Sequence, residues 1–285
     1  MDELDERLRR AQCPAVAIGD IDFDTDNSAL PCGFSEVERY KYLRQRQPDL
    51  VVVAARPGVG KTAFALQLAT NVARASGPVL FFSLEMDRRQ LKQRLVALQS
   101  ETSINKLHLL KEAKKVEIRE YFSALPLSID DEPSLAINVL MARAIATNKR
   151  TPLSLIVVDY LQIVRADSTR SKADEVAEIA EKLKVLAKEL KVPIMALAQM
   201  NRNVEGRSMY SKDPRPMMSD LADSAGIEKW SDVIMFLHRP ELINKSRPGE
   251  VDVFVVKNRH GATEDFRLGF SGEITKFYDA IEDSL

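Results

Sequence analysis

Short apolar runs rich in β-branched residues alternate with longer amphipathic stretches along most of this chain. The apolar runs predict strands at residues 50–54, 79–83, 127–130, 155–159, 194–198, 233–237, 251–257 and 266–270. The amphipathic stretches predict helices at residues 62–75, 87–99, 111–124, 134–148 and 172–191. Strands that alternate with helices in this way are typical of a doubly wound α/β domain.

The predicted strands are of two kinds. The first several are almost wholly apolar, as expected of parallel strands that helices cover on both faces. Residues 251–255 instead interrupt the apolar run with the polar Asp252, which is typical of a half-exposed strand. The sequence therefore predicts a doubly wound, mostly parallel sheet flanked by helices, with a C-terminal antiparallel extension.

Length and composition limit the number of domains. A chain of 285 residues, 45% of them hydrophobic, can bury one sizeable α/β core. We expect that core at residues 31–285, and an N-terminal helix and linker segment at residues 1–30. Leu4, Leu8 and Ala11 form one apolar stripe, but so short a helix is not stable alone. It would fray or dock on another surface, such as a neighbouring subunit.

Charge and cysteine content exclude several classes of protein. The 41 Lys and Arg residues balance 42 Asp and Glu residues, so any binding of nucleic acid needs a local basic patch. Two cysteines make neither a disulfide scaffold nor a four-cysteine zinc site. The N-terminus lacks the apolar core of a signal peptide, and no apolar run approaches the roughly 20 residues of a membrane span. We expect a soluble, cytoplasmic protein with no membrane partner.

The segment 54–62, with the sequence AARPGVGKT, separates the first predicted strand from the first predicted helix. Backbone N–H groups at a helix N-terminus bind phosphate, Lys61 can reach the outer phosphates, and the Thr62 hydroxyl can bind Mg²⁺. The full motif has glycine where this chain has Ala55, and a simple glycine-rich turn is the alternative. The flanking strand and helix favour a nucleotide-binding loop. Its candidate residues are Arg56, Pro57, Gly58, Val59, Gly60, Lys61, Thr62 and Ala63.

Three further polar residues follow predicted strands. Asp159 ends the fourth strand and is the candidate second ligand of Mg²⁺, Glu85 follows the second strand and is the candidate base, and Gln199 follows the fifth and is a candidate sensor of the γ-phosphate. The carboxyl ends of parallel strands meet at one edge, so we expect these side chains to lie together. The alternatives are a helix N-cap for Asp159, a first-turn glutamate for Glu85 and a merely polar strand end for Gln199.

Two long loops are expected at the same edge of the sheet. Residues 165–171 follow the fourth strand and residues 201–216 follow the fifth. The second loop carries Arg202 and Arg207, which makes it a candidate binding surface, with a solvated linker as the alternative.

Six spaced motifs in this chain resemble the ATPase domain of DnaB-type replicative helicases, over about residues 30–277. They are AARPGVGKTAFAL at 54–66, SLEM at 83–86, DYLQ at 159–162, QMNR at 199–202, RPMMSDL at 215–221 and KNRHG at 257–261. Alanine commonly stands at the position of Ala55 in that family, so the altered loop is expected there.

The resemblance implies a RecA-like core that assembles into a six-membered ring, with ATP between adjacent subunits and single-stranded DNA in the channel. It implies that Lys61 and Thr62 bind phosphates and Mg²⁺, and that Asp159 is the Walker B acid. Glu85 would be the catalytic carboxylate and Gln199 the γ-phosphate sensor.

The resemblance also assigns a role in hydrolysis to two cationic residues near the C-terminus. By the same resemblance, Lys257 and Arg259 would reach into the neighbouring subunit's site, where cations stabilise the charge that develops on the transferred phosphoryl group. The alternative is a solvated turn between two strands.

The chain departs from the family pattern at two places. Only about 30 residues precede the resemblance, whereas family members usually carry an N-terminal helical domain; either a compact phage- or plasmid-type enzyme or a piece of a longer chain fits this. A DNA-binding loop of the family corresponds to residues 221–228, where this chain has Ala222 and Ala225. The DNA-binding candidates are Arg202, Arg207, Asp223, Ser224, Ala225 and Gly226.

The leading hypothesis is a ring-shaped motor that hydrolyses ATP, translocates on single-stranded DNA and unwinds duplex DNA during replication. Its expected partners are further copies of itself and a helicase loader, primase or other replisome protein. The polarity of translocation, 5′ to 3′, follows from the resemblance alone. The alternatives are a RecA- or RadA-like recombination ATPase, which forms filaments, and a non-motor ATPase that acts as a replisome partner.

Overall fold

The structure is a computed structural model that describes residues 28–166, 171–201, 215–221, 224–245 and 247–280. The expected N-terminal helix and the loop residues Arg202 and Arg207 lie outside these ranges. The division at residues 30 and 31 therefore stays a prediction. No helix within the described ranges combines the length and the apolar character needed to cross a membrane.

The elements alternate as the hydrophobic pattern predicts. The strands are β1 (Leu50–Ala55), β2 (Val79–Ser83), β3 (Leu127–Asp130), β4 (Leu155–Asp159), β5 (Ile194–Gln199), β6 (Val233–His238), β7 (Glu250–Asn258), β8 (Phe266–Ser271) and β9 (Lys276–Asp279). The helices are α1 (Ser35–Arg39), α2 (Lys61–Ala75), α3 (Arg88–Ser100), α4 (Glu112–Ala124), α5 (Ile137–Arg150), α6 (Lys172–Leu190), α7 (Ser224–Trp230) and α8 (Glu241–Asn244).

The strands of the described residues form one sheet in the order β3-β2-β4-β5-β1-β6-β7-β8-β9. Neighbours from β3 to β6 are parallel, whereas β7, β8 and β9 continue the sheet in antiparallel pairs. This topology confirms the predicted fold class, including the antiparallel extension. The sequence pattern missed β9, a four-residue strand with a charged residue at each end.

The central strands are apolar throughout because both faces of the sheet are covered. Val51 and Val53 of β1 pack on one face with Phe64 of α2, whereas Val52 faces the other side. That second face packs against α6, which contributes Leu183 among others. With both faces buried, the polar chemistry of the domain is confined to the edges of the sheet.

Helix α7 lies unusually close to α6. A Cβ atom added at Gly226 would lie 2.3 Å from the Cβ of Ala177 and 2.4 Å from its Cα, so only glycine fits at this contact. The missing side chain of Gly226, a residue predicted to bind DNA, thus serves helix packing.

We predict that Gly226→Ala lowers the free energy of unfolding by about 1–3 kcal/mol, because overpacking outweighs the gain in helix propensity. Equilibrium unfolding in urea measures this. The control is Gly261→Ala, whose added Cβ would lie 3.6 Å from the nearest side-chain atom and should be tolerated. A Gly226→Ala protein as stable as the control would contradict the packing role.

Candidate functional site

A cleft of about 570 Å³ opens at the carboxyl ends of the parallel strands. Its walls come from the segment after β1, from the ends of β2, β4, β5 and β6, and from the hairpin of β8 and β9. Among the predicted site residues, it brings together Arg56, Pro57, Gly58, Gly60, Lys61, Thr62, Glu85 and Gln199. The edge expected from strand direction therefore exists as one site.

The loop between β1 and α2 owes its shape to two glycines. Gly58 and Gly60 have φ angles of 80° and 114°, in the left-handed region that disfavours other residues. An added Cβ at Gly60 would also lie 3.2 Å from the rings of Phe270 and Phe277. The loop leads directly into the first turn of α2, whose backbone N–H groups are the phosphate-binding groups of such a motif.

Two of the phosphate-binding candidates, one in the loop and one in the first turn of α2, contribute to the core. The side chains of Val59 and Ala63 are buried in the hydrophobic cluster on the α2 face of the sheet. A contact with phosphate at either position would therefore use the backbone. Both assignments stay predictions.

Asp159 is fully buried below the loop, where its Oδ2 accepts a hydrogen bond of 2.7 Å from the Thr62 hydroxyl. Its other oxygen, Oδ1, is buried without a hydrogen-bond partner among the described residues. Burial raises the pKa of Asp159, and the Lys61 ammonium and the Thr62 hydroxyl oppose that shift. A carboxylate oxygen with spare capacity beside a hydroxyl suits a hard divalent cation such as Mg²⁺.

Among the cations near Asp159, Lys61 has the strongest electrostatic effect on that carboxylate. Its ammonium lies 4.3 Å from the centre of the Tyr160 ring, a cation–π contact. Burial lowers the pKa of Lys61, although the carboxylates of Asp159 and Glu85 act in the opposite direction. Because Lys61 is partly buried, an anionic ligand would replace solvation that its ammonium has lost.

Glu85 does not lie in the first turn of a helix, and Asp159 is not a helix N-cap, which were the alternative roles for these two residues. Helix α3 begins at Arg88 and is capped by Asp87, whose side chain accepts hydrogen bonds from the backbone N–H groups of Arg89 and Gln90. Glu85 therefore precedes the helix and is exposed at the cleft instead of lying in the first turn. Asp159 bonds Thr62 and does not cap a helix.

Arg239 follows β6 and lines the same cleft, although no sequence motif indicated it. Its guanidinium lies 4.9 Å from the centre of the Phe270 ring, forms an ion pair with Glu241 and donates a 3.3 Å hydrogen bond to the Gly58 carbonyl. Burial lowers the pKa of Arg239. The available signal was its place directly after an apolar strand, the same position that identified Gln199.

Lys257 and Arg259 lie at the opposite edge of the sheet. Strand β7 is antiparallel to β6, and its last residue pairs with Val233 at the start of β6. The Lys257 ammonium donates to the Glu228 carbonyl, and burial, with a smaller contribution from Arg259, lowers its pKa. Neither cation lines the cleft of its own chain.

Arg259 is held by several contacts at that edge. Its guanidinium donates to the Lys229 carbonyl, its Nη1 lies 3.4 Å from the Asp232 carboxylate, and its backbone N–H donates to the Asp232 carbonyl. Asp232 is buried, and it also accepts hydrogen bonds from Lys184 and from the backbone N–H of Leu50.

A second carboxylate lies beside this network. Asp49, Asp232 and His260 place oxygen and nitrogen atoms within 4.8 Å of one another, an arrangement that resembles a metal site. The carboxylates are, however, already paired with Arg44 and Lys184. We therefore assign this cluster to holding the turn that carries Arg259.

The second long loop expected from the sequence, residues 201–216, is described only at its two ends. Met200 and Leu221 form an antiparallel bridge, and the backbone N–H of Asn201 donates to the Asp220 carbonyl, so both ends of the loop leave the sheet beside the cleft. Residues 221–228 were expected to form a DNA-binding loop, but residues 224–228 are helical and belong to α7, in which Ala225 is exposed. Arg202, Arg207 and Asp223 lie outside the described residues, and DNA binding by this set stays a prediction.

The loop after the first strand of the parallel sheet has the pattern of a nucleotide-binding loop, and a carboxylate lies at the end of a nearby strand. These two features define a P-loop α/β domain of the RecA-like class. The chain belongs to the DnaB-like helicase family: residues 29–279 match the family model described as "DnaB-like helicase C terminal domain". The resemblance in the sequence motifs is thereby confirmed.

Individual relatives agree with this family. The chain is 37% identical over 264 residues to the "Replicative DNA helicase DnaB" of Geobacillus stearothermophilus, covering 89% of this chain and 57% of that protein. It is also 37% identical to the protein of the same name from Haemophilus influenzae, covering 90% of this chain and 56% of that one. The chain thus spans a little over half the length of these curated relatives.

Two solved structures share the fold. One, described as an "ATPase Domain", has a TM-score of 0.82 at 28% identity, covering 99% of this chain and all of that one. A second, described as "The Structure Of A DnaB-Like Replicative Helicase And Its Interactions With Primase", has a TM-score of 0.80 at 27% identity, covering 99% of this chain and 68% of that one.

Proposed function

We propose that this protein is the ATP-hydrolysing motor of a ring-shaped DNA helicase, which translocates on single-stranded DNA and unwinds duplex DNA during replication. The observation that carries the proposal is that the candidate catalytic residues lie at two opposite edges of one sheet. The cleft holds the P-loop and the carboxylates, and the opposite edge holds Lys257 and Arg259. Membership of the DnaB-like helicase family supports the same function.

In this proposal the cleft binds ATP with Mg²⁺. The N–H groups of the P-loop and the Lys61 ammonium hold the phosphates, and the solvation that burial removed from Lys61 is replaced by phosphate oxygens. Thr62 and the free oxygen of Asp159 would hold Mg²⁺, directly or through water. When bound, Mg²⁺ neutralises charge that develops on the phosphate oxygens.

Hydrolysis requires a base and a phosphate contact. Glu85, exposed to the cleft, orients a water molecule and accepts its proton as the water oxygen bonds to the γ-phosphorus and the bond to the β-phosphate oxygen breaks. ADP and inorganic phosphate are the products. Gln199, at the end of β5, contacts the γ-phosphate. This contact is lost when the γ-phosphate leaves, so Gln199 acts as a sensor of hydrolysis.

The two edges explain why subunits must assemble. Lys257 and Arg259 cannot serve their own cleft, so they act on the neighbour's nucleotide, where an arginine finger is worth about 10³–10⁵ in rate. A contact that joins two different edges is head-to-tail, and head-to-tail contacts close into rings when the rotation permits. We infer a homo-hexameric ring, as the family resemblance implies.

The proposed DNA contacts come from the loop of residues 201–216, whose base lies beside the cleft, and from the start of helix α7. The net charge of −1 gives no general attraction for DNA, so Arg202, Arg207 and residues 223–226 would supply local contacts. A ring repeats each contact around the strand, which compensates for Ala222 and Ala225. One solved relative is described with primase, and we propose primase and a helicase loader as partners. A cytoplasmic location stays a prediction.

We predict that the protein, supplied with ATP and Mg²⁺, separates forked DNA that carries a single-stranded 5′ tail. Gel-based strand displacement on forks with one tail at a time measures motor activity and polarity together. Lys61→Ala should abolish displacement and ATP binding while leaving the thermal unfolding midpoint of the ligand-free protein unchanged, because this lysine serves the ligand.

The same assay distinguishes the alternatives. ATP turnover that rises with single-stranded DNA but yields no displacement would favour the recombination ATPase, and filaments in electron micrographs would support it. Turnover that does not respond to DNA would favour the non-motor partner.

We predict that Arg259→Ala leaves ATP binding nearly unchanged but lowers DNA-stimulated turnover by a factor on the order of 10³. Glu85→Gln should also bind ATP and hydrolyse it poorly. Mixing the two variants recreates sites in which an intact Glu85 faces an intact Arg259. The mixture should therefore hydrolyse ATP faster than either variant alone in a steady-state phosphate-release assay.

Each variant alone is the control for this mixture, and native mass spectrometry verifies that mixed oligomers form. Equal inactivity of the mixture and both variants would mean that Arg259 acts within its own subunit or only supports the fold.

A further inference from the structure

Gln162 occupies the place where the ladder between β4 and β5 stops. Pairing of these strands ends at Val158 and Ala196, whereas β5 continues beside β1 until Gln199 lies opposite Ala55. Strand β4 ends at Asp159, and the chain then turns into a short 3₁₀ helix, Leu161–Ile163. The end of β5 therefore extends past its neighbouring strand on one side.

The Gln162 side chain takes the place of that missing strand. Its Oε1 accepts a 3.1 Å hydrogen bond from the Gln199 backbone N–H, and its Nε2 donates a 3.3 Å hydrogen bond to the Gln199 carbonyl. One primary amide thus binds both backbone groups of one residue, as a paired strand would. Exchanging the amide O and N would set like groups against each other, so the bonding pattern fixes the orientation of the amide.

We propose that Gln162 is the positioning residue of Gln199, and this inference rests on the proposed role of Gln199 at the γ-phosphate. On the β1 side, the ladder holds the backbone through the bond from Met200 N–H to the Ala55 carbonyl. On the other side, Gln162 fixes the peptide groups that set the direction of the Gln199 side chain. Gln162 does not line the cleft itself and acts through Gln199.

Positioning matters because the proposed phosphate contact is made by a single neutral amide. Such a contact is geometrically demanding, and small displacements weaken it. A loosened Gln199 would still permit binding of the α- and β-phosphates by the P-loop. The loss should therefore fall on the contact that distinguishes ATP from ADP.

The test measures the dissociation constants of ADP and of a non-hydrolysable ATP analogue, both with Mg²⁺, by calorimetry. Gln162→Met keeps the length of the side chain and removes both hydrogen bonds. It should lower the preference for the analogue over ADP by about tenfold, the worth of roughly one net hydrogen bond. Gln199→Ala should lower it at least as much, and the double variant no further than Gln199→Ala alone.

Asn148→Leu is the matched control. The Asn148 side chain also holds a backbone N–H, that of Leu153, at 2.8 Å, but at the end of α5 and outside the cleft. It should lower stability to urea without changing the preference between the nucleotides. If Gln162→Met does not fold, Gln162→Glu serves instead, since it keeps the acceptor for the Gln199 N–H and loses the donor.

Three results would overturn the proposal. A Gln162 variant that weakens both nucleotides equally, or whose effect adds to that of Gln199→Ala, has a merely structural role. If the Gln162 variant keeps the preference for the analogue over ADP while Gln199→Ala changes it, only the positioning role of Gln162 is rejected. Unchanged preference in Gln199→Ala itself rejects the sensor role and the Gln162 inference together.

Discussion

The direction of each strand is the constraint on which the whole arrangement depends. The parallel run from β3 to β6 brings the P-loop, Glu85, Asp159, Gln199 and Arg239 to one edge, although these residues are spread over more than half of the chain. The reversal at β7 sends Lys257 and Arg259 to the other edge. A change in the direction of this single strand would place the cations at the cleft edge, and the proposed need for a second subunit would disappear.

Burial of Lys61 and Asp159 is the second feature that determines the chemistry of the cleft. Its effect on their pKa values opposes the effect of their mutual attraction. Lys61 and Asp159 carry opposite charges, yet burial lowers the pKa of one and raises that of the other. Desolvation therefore outweighs their mutual attraction, which leaves both groups with unmet demand for polar partners. Such a cleft favours a ligand that brings its own charges, an anionic phosphate chain and a divalent cation. The opposite edge differs, since Asp232 and Asp49 are already neutralised by Lys184 and Arg44.

Much of the fold was predictable because both faces of the sheet are covered, so each central strand is a continuous apolar run. The elements that the sequence pattern did not predict are β9 and the short helices α1, α7 and α8. They bury too few residues to leave such a pattern. The cleft residues were predictable from their position after a strand. Arg239 shares that position and was missed. The proposed role of Gln162 was unpredictable because it depends on where the β4–β5 pairing ends. The opposite location of Arg259 follows from the antiparallel direction of β7, which the interrupted apolar pattern of residues 251–255 predicts.

The central claim is that no single chain holds a complete catalytic site. ATP turnover per subunit, measured by phosphate release while the protein is diluted through the range in which its assemblies separate into single chains, tests this most directly. Mass photometry on the same samples gives the fraction assembled. If no single chain holds a complete site, turnover per subunit should fall in proportion to that fraction, and isolated chains should be slower by a factor of about 10³ or more. Turnover per subunit that stays constant as the assemblies dissociate would contradict it.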